Sequence, residues 1–429
     1  MKVKLIALAV AVTILFAGTV FGTGKQAALA KAQRLTVLFQ QSNIPDDMIV
    51  KEYAEAWAKE KGVDLNFQII DENELRSKTI AAIESKFGPD LILFPDYSAY
   101  LYQDSLSPLD DLVNGLGEKY GGWFPVCEQA FCYDGHWKAV PYKTFVKPLV
   151  YRKDLIKGVN EAVPDTWEDV ARVSKKITDK YPGVYGFGVA IGPRSDGPNS
   201  IRSLLWSYGA SIVDKDGNVA LDSKEAVEAF AFLKDWYSSG GMAPGVPGWD
   251  DSDNNRAFMA EKIAMTINAS SIYDAAKKDF PDTLGKVTGH AACPKGPAGR
   301  FGNASSQGLG IPLYSENKEL AIDFLRYMYT SERLKRITTE TSGGATMMLN
   351  DVVKDLPIWD DPDLRALLDI SKVSYLIGYP GKITRAASAV RSEFVLVNVA
   401  ARMLIEDLSP EETVRLATKE VKEIYARYK

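Results

Sequence analysis

Between Ala32 and Phe94 the chain alternates between strand-like and helical hydrophobic periods, and that alternation limits the possible folds more than any other feature. Ala32 to Phe39 reads as a strand that leaves through the polar loop Gln40 to Asn43. Ile49 to Lys61 has helical spacing, with Ile49, Val50, Tyr53 and Trp57 on one side and charge on the other. Val63 to Ile70 alternates as a strand, Asn73 to Lys86 is helical, and Asp90 to Phe94 is a short apolar run bounded by Gly88, Pro89 and Pro95. Strands separated by helices are joined by right-handed crossovers, which makes a largely parallel sheet covered on both faces. Ligands of such sheets gather beyond the carboxyl ends of the strands. The loops Gln40 to Asn43 and Pro95 to Tyr97 are expected there.

A second α/β unit begins near Tyr142. "PDTWEDVARVSKKIT" offers an N-cap at Asp165 or Thr166 and an apolar stripe through Trp167, Val170, Val173 and Ile177. Tyr185 to Ile191 reads as a strand, "IVDKDGNVALD" as a hairpin turning at Asp216 and Gly217, and "DSKEAVEAFAFLKDWYSSGG" as a capped helix. In "AFMAEKIAMTINASSIYDAAK" a helix leads into the strand Ile263 to Ile267, and a second helix follows at once. Asn268, Ser270 and Ser271 therefore stand at a strand end beside the unpaired N–H groups of a helix start. The serines cap that helix, face a ligand, or do both. Asn317 to Tyr329 is helical, Ser342 to Gly344 is a break, and mainly helical sequence runs from there to Lys429.

At 429 residues the chain exceeds the size at which one hydrophobic core keeps growing, so two lobes are expected. Its 51 basic against 56 acidic residues include no basic block, which argues against nucleic acid as a partner. Lys2, Lys4, the apolar run Leu5 to Phe16 and the small residues Ala17, Gly18 and Gly22 have the order of a secretory signal peptide over residues 1–22. The alternative is an anchored N-terminus, for which the run is short. No cysteine follows it for lipid attachment, so a free periplasmic protein is expected. Cys127 and Cys132 either close a small disulfide loop or remain thiols with Cys293. No metal site is expected, since His136 and His290 lack ligand spacing with the cysteines. No cofactor motif occurs, and Asp214 to Gly217 reads as a hairpin turn rather than a calcium loop.

Taken in order, several stretches resemble the bacterial extracellular solute-binding proteins of the maltose-binding-like class, receptors of ABC importers. They are "DGHWKAVPYKTFVKPLVYRKDL" (Asp134 to Leu155), "PDTWEDV", "YGFGVA", "LLWSYGASIVDKDGNVALDSKEAVEAFAFLKDW" (Leu204 to Trp236), "AFMAEKIAMTINASSIY" and "SENKELAIDFLRYMYTSERL" (Ser315 to Leu334). The resemblance implies an α/β, two-lobe periplasmic-binding-protein-like fold with a ligand cleft between the lobes and several hinge crossings. It places the first lobe at 32–142 plus 300–343 and the second at 150–295 plus 348–429. The crossings then fall at Tyr142 to Val150, Pro294 to Gly302 and Gly343 to Met348, where prolines and glycines allow the chain to turn.

The same resemblance implies a small carbohydrate, sugar or sugar alcohol, as ligand, a membrane permease as partner, and a monomer. Carried over by position, its contacts are Gln40, Gln41 and Asn43, then Asp96 and Tyr97, where related receptors place a carboxylate that accepts sugar hydroxyls. Tyr142 stands at the first crossing, Arg194 and Asn199 in "GPRSDGPNS", and Ser270 with Ser271 at the end of "AMTINASS". Maltose receptors have a tryptophan where this chain has Ser271, and Trp249 is the expected substitute. Tyr379 and Arg385 join the site if the C-terminal helices fold back on it. Each has a structural alternative: Asp96 starts a helix, Tyr142 packs in a core, Trp249 covers a helix entry capped by Asp251, Ser252 or Asp253. Lys143, Lys147 and Arg194 raise an anionic ligand, a glycerophosphodiester or acidic sugar, as the second reading. No local pattern identifies a glycosidase carboxylate pair or a G-x-S-x-G elbow, so an exported hydrolase ranks below a receptor.

Overall fold

The computed structural model describes residues 33–428 except 43, 193–195, 251 and 372. The expected leader, Asn43, Arg194 and Asp251 lie outside the described residues, as do the side chains of Asp96 and Tyr97. Local rules place the first elements. The helix Asp46–Lys61 opens on two acidic residues, closes on Lys59 and Lys61, and stops at Gly62, whose φ of 69° suits a residue without a Cβ. Asp71 caps the helix Glu72–Ser85 by accepting from the Asn73 and Glu74 N–H groups. Thr166, of the two candidates, caps Trp167–Lys180.

Two sheets result. In the first, Asp64–Ile70, Arg34–Gln40 and Leu91–Pro95 lie side by side in parallel, as the alternating periods require. Gly302–Gly310 adds antiparallel to Leu91–Pro95, and pairs also with Val140–Val146 and the short strand Ser374–Tyr375. In the second, Tyr185–Phe187 runs parallel to Ile263–Ile267, and Leu149–Arg152 and Thr288–Ala291 complete the order antiparallel. The strand read as Tyr185 to Ile191 thus pairs only through Phe187.

Each sheet has its own hydrophobic core, one built on Leu35, Trp57, Phe94 and Phe324, the other on Val150, Phe187, Phe230 and Met265. The chain passes between them at 146–149 and again between Ala291 and Gly302, as the prolines and glycines suggested. The third crossing differs from the expectation. Met347, Leu349, Trp359, Leu367 and Ile377 pack into the first core, so 348–383 belongs to the first lobe. The helix Arg385–Ser392 makes the passage, with Ala387 in the first core and Ala389 and Val390 in the second. All three cysteines are free thiols, and Cys127 packs against Met348 rather than bonding Cys132. No described helix is long and apolar enough to cross a membrane.

Candidate functional site

Strand ends from both lobes converge on a cavity of about 360 Å³. Arg34–Gln40 delivers Gln40 and Gln41, Leu91–Pro95 delivers Pro95, and Ile263–Ile267 delivers Asn268, Ser270 and Ser271. Gly302–Gly310 runs the other way and contributes Ser305, Ser306 and Gln307 from mid-strand. Helices bring Asn199, Asn255 and Arg391, the strand Val140–Val146 brings Phe145, and the first crossing brings Lys147. A larger, more open groove of about 600 Å³ lies at the amino ends of the first sheet. Its lining residues all belong to the first lobe, and its Asp90 carboxylate is already taken by Thr36, Ser315 and Asn317.

The cavity wall is mostly amides and hydroxyls already engaged with one another on one side. Gln307 donates through Nε2 to Gln40 Oε1 at 2.9 Å. A β-bulge at Gln307 and Gly308 re-aims the strand at this point. The Gln307 Oε1 is buried and accepts no hydrogen bond. Asn268 donates to Asn255, and Asn255 donates to Ser271 Oγ at 3.4 Å. Ser270 is the N-cap residue of Ser271–Asp279 but makes no side-chain cap bond. Its hydroxyl instead bonds the Asp274 carboxyl, as does that of Ser342 from the first lobe. Burial raises the Asp274 pKa to about 6 against those two bonds. The lobes nearly touch here: a Cβ on Gly344 would stand 2.3 Å from Ser270 Oγ.

The profile of the family described as bacterial extracellular solute-binding protein matches residues 41–333. The chain belongs to that family. An ABC transporter-binding protein of Deinococcus radiodurans is 27% identical over 358 residues, covering 78% of this chain and 82% of that one. An arabinooligosaccharide-binding protein of Halalkalibacterium halodurans is 23% identical over 279 residues, 61% of this chain and 59% of its own. Among solved structures, maltose-bound MalE3 of T. maritima superposes with a TM-score of 0.79 at 20% identity, covering 92% of this chain and 100% of that one. A solute-binding protein of Agrobacterium radiobacter in complex with ribitol gives 0.76 at 22% identity, with 91% and 98% covered. These likenesses establish the two-lobe architecture.

Within this solute-binding protein the expected residues divide. Gln40, Gln41, Asn199, Ser270 and Ser271 all reach the cavity. Asp96 begins the helix Asp96–Leu101 directly after cavity-lining Pro95. Tyr142 does not reach it. Its ring packs against Phe39 and its hydroxyl donates to Asp46 at 2.9 Å, with burial pushing that hydroxyl's pKa up. Trp249 is displaced for a steric reason: it fills space left by Gly188 and Gly245, and a Cβ on Gly188 would come within 2.6 Å of its ring. Tyr379 packs on Tyr375 at 4.0 Å and edge-on to Trp206 at 5.4 Å, outside the cavity lining. Arg385 is exposed at the start of its helix, and Arg391 on the same helix is, among the described residues, the arginine that lines the cavity. Lys143 is buried and paired with Asp46, which removes it from any ligand, whereas Lys147 lines the wall. Sequence reasoning missed Ser305, Ser306, Gln307, Asn255 and Arg391. The run "GNASSQGLG" carries the available signal, three consecutive polar residues in a strand that is buried almost throughout.

Proposed function

We propose that this solute-binding protein takes a small carbohydrate, a sugar or sugar alcohol, into the cavity between its lobes and delivers it unaltered to an ABC permease. It acts as a monomer in the periplasm. The carrying observation is the buried Gln307 Oε1 without a donor, set in a wall of amides and serine hydroxyls contributed by both lobes. A buried acceptor left unpaired costs about 1–3 kcal/mol, and a ligand O–H removes that cost. Polyhydroxylated compounds supply donors and acceptors at the spacing such a wall needs. The maltose, ribitol and arabinooligosaccharide named for similar proteins support the same class.

A thermal-shift panel of maltose, ribitol, D-mannitol and glycerophosphodiesters tests the reading. A sugar or polyol present at about 100 times its Kd adds about 2.7 kcal/mol to folded-state stability and raises the melting temperature. Recovery of that compound unchanged after incubation separates a receptor from a hydrolase. Lys147 and Arg391 at the wall favour the second reading, an anionic solute. A panel in which only the anions shift the melting temperature selects it.

A further inference from the structure

Behind Asn199 lies a buried arginine that the cavity itself does not touch. Asn199 and Arg202 are one helical turn apart on Asp196–Tyr208, so their side chains share a face. Arg202 is 4% exposed, Asn199 5% and Asn303, on the strand Gly302–Gly310 of the other lobe, 3%. Arg202 Nη2 donates to Asn199 Oδ1 at 2.5 Å, and Nε and Nη2 donate to Asn303 Oδ1 at 3.2 and 3.0 Å. Asn303 Nδ2 in turn donates to the Asn199 carbonyl at 2.6 Å. The guanidinium sits 5.8 Å over the Trp206 ring, which holds it from the next turn of the same helix.

The geometry points to Arg202 as a positioning residue that fixes which end of the Asn199 amide faces the ligand. A guanidinium has donors and no acceptor, so only the oxygen of each neighbouring amide can face it. Turning Asn199 over would set an NH2 against N–H donors in a site closed to water. Turning Asn303 over would do the same and also take the donor from the Asn199 carbonyl. With its oxygen engaged behind, Asn199 presents NH2 to the cavity and recognises an acceptor oxygen of the ligand. Because Asn303 belongs to the first lobe and the other two residues to the second, the knot also ties this contact to the arrangement of the lobes.

The assignment of ligand polarity rests on the receptor reading above, so the test has a ligand-free arm. It is a double-mutant cycle of Asn199→Asp and Arg202→Met, read by melting temperature without ligand and then by calorimetry with maltose, ribitol and D-mannitol as probes. Asn199→Asp keeps the side-chain shape, leaves an oxygen against the guanidinium and replaces the NH2 with a second acceptor. With Arg202 present it is expected to hold or raise the melting temperature, while any probe that binds the wild type loses at least about tenfold in affinity. In the Arg202→Met background the same substitution lowers the melting temperature, since its carboxylate is buried without the cation. Where Arg202→Met does not fold, Arg202→Gln carries the cycle, because a neutral amide keeps a donor for Asn303 but removes the cation that a buried carboxylate at 199 needs. Independence of the two substitutions in melting temperature, or wild-type affinity in Asn199→Asp, overturns the assignment. A wild type that binds none of the probes overturns the carbohydrate reading instead, and the ligand-free cycle then decides the amide's orientation by itself.

Discussion

At the scale of the residue, Asp274 is a carboxyl group whose surroundings favour its neutral form. Burial holds its pKa at about 6, above the ordinary value of 3.8, although Ser270 and Ser342 both bond it. The folded chain therefore keeps this proton at pH values where the unfolded chain has lost it. The stability it contributes is complete below about pH 4 and is lost as the pH rises through about 6. Asp274→Asn is always neutral and still accepts from both serines. Urea unfolding is expected to find it more stable than the wild type by about 3 kcal/mol at neutral pH and no more stable at about pH 4. A gain of equal size at both pH values would mean that charge is not the cause. Little of this was legible beforehand. Ser270 stood out because it follows an apolar strand, but the second serine at Asp274, one helical turn on, is Ser342, which arrives from the other lobe only on folding. The same limit hid the pairing of Lys143 with Asp46: residues far apart in sequence meet only after folding, so Lys143 read as a cation able to meet an anionic ligand.

At the scale of the element, the sequence is informative where one period covers a whole segment. The first three strands and their two helices sit where the alternation placed them, because each strand is long enough to show its period and each helix carries a cap or an acidic start. Gly302–Gly310 was invisible for the opposite reason. Its glycines and serines lack the apolar signal of a strand, yet Leu91–Pro95 and Val140–Val146 flank it and satisfy its backbone groups. Small residues are needed there: a Cβ on Gly308 would come within 2.8 Å of the Phe131 ring. An approach of backbone to backbone in the second lobe is tighter. A Cβ on Gly186, in the strand Tyr185–Phe187, would stand 2.1 Å from both the Cα and the carbonyl oxygen of Ser174 in the helix Trp167–Lys180. Backbone atoms cannot turn away as a side chain does, so the helix would have to lift from the sheet. Gly186→Ala is expected to cost about 1–3 kcal/mol or more in denaturant unfolding. An unchanged midpoint would show that this helix and strand are not held together as described.

At the scale of the whole molecule, two rigid cores joined by three short passages can rotate about those passages while each keeps its packing. The third passage decides which residues move together. The sequence reads as mainly helical after the break at Ser342 to Gly344, but that cannot say which of two apolar cores the segment 348–383 joins. The glycines at 343 and 344 suggested a crossing because they break the helix, whereas their structural use is to let Trp359 and Ser270 approach. Spin labels distinguish the assignments. With Cys132→Ser to remove the half-buried thiol, labels at Glu55→Cys, Lys175→Cys and Lys354→Cys report on the first core, the second core and the disputed segment, all from exposed or partly exposed side chains. When a sugar or polyol that binds is added to saturation, the distance from 55 to 354 is expected to stay fixed. The distances from 55 to 175 and from 354 to 175 are expected to change together, since closure moves one lobe against the other. If the label at 354 instead kept its distance to 175 while moving against 55, the segment would travel with the second lobe, and the helix Arg385–Ser392 would not be the third hinge.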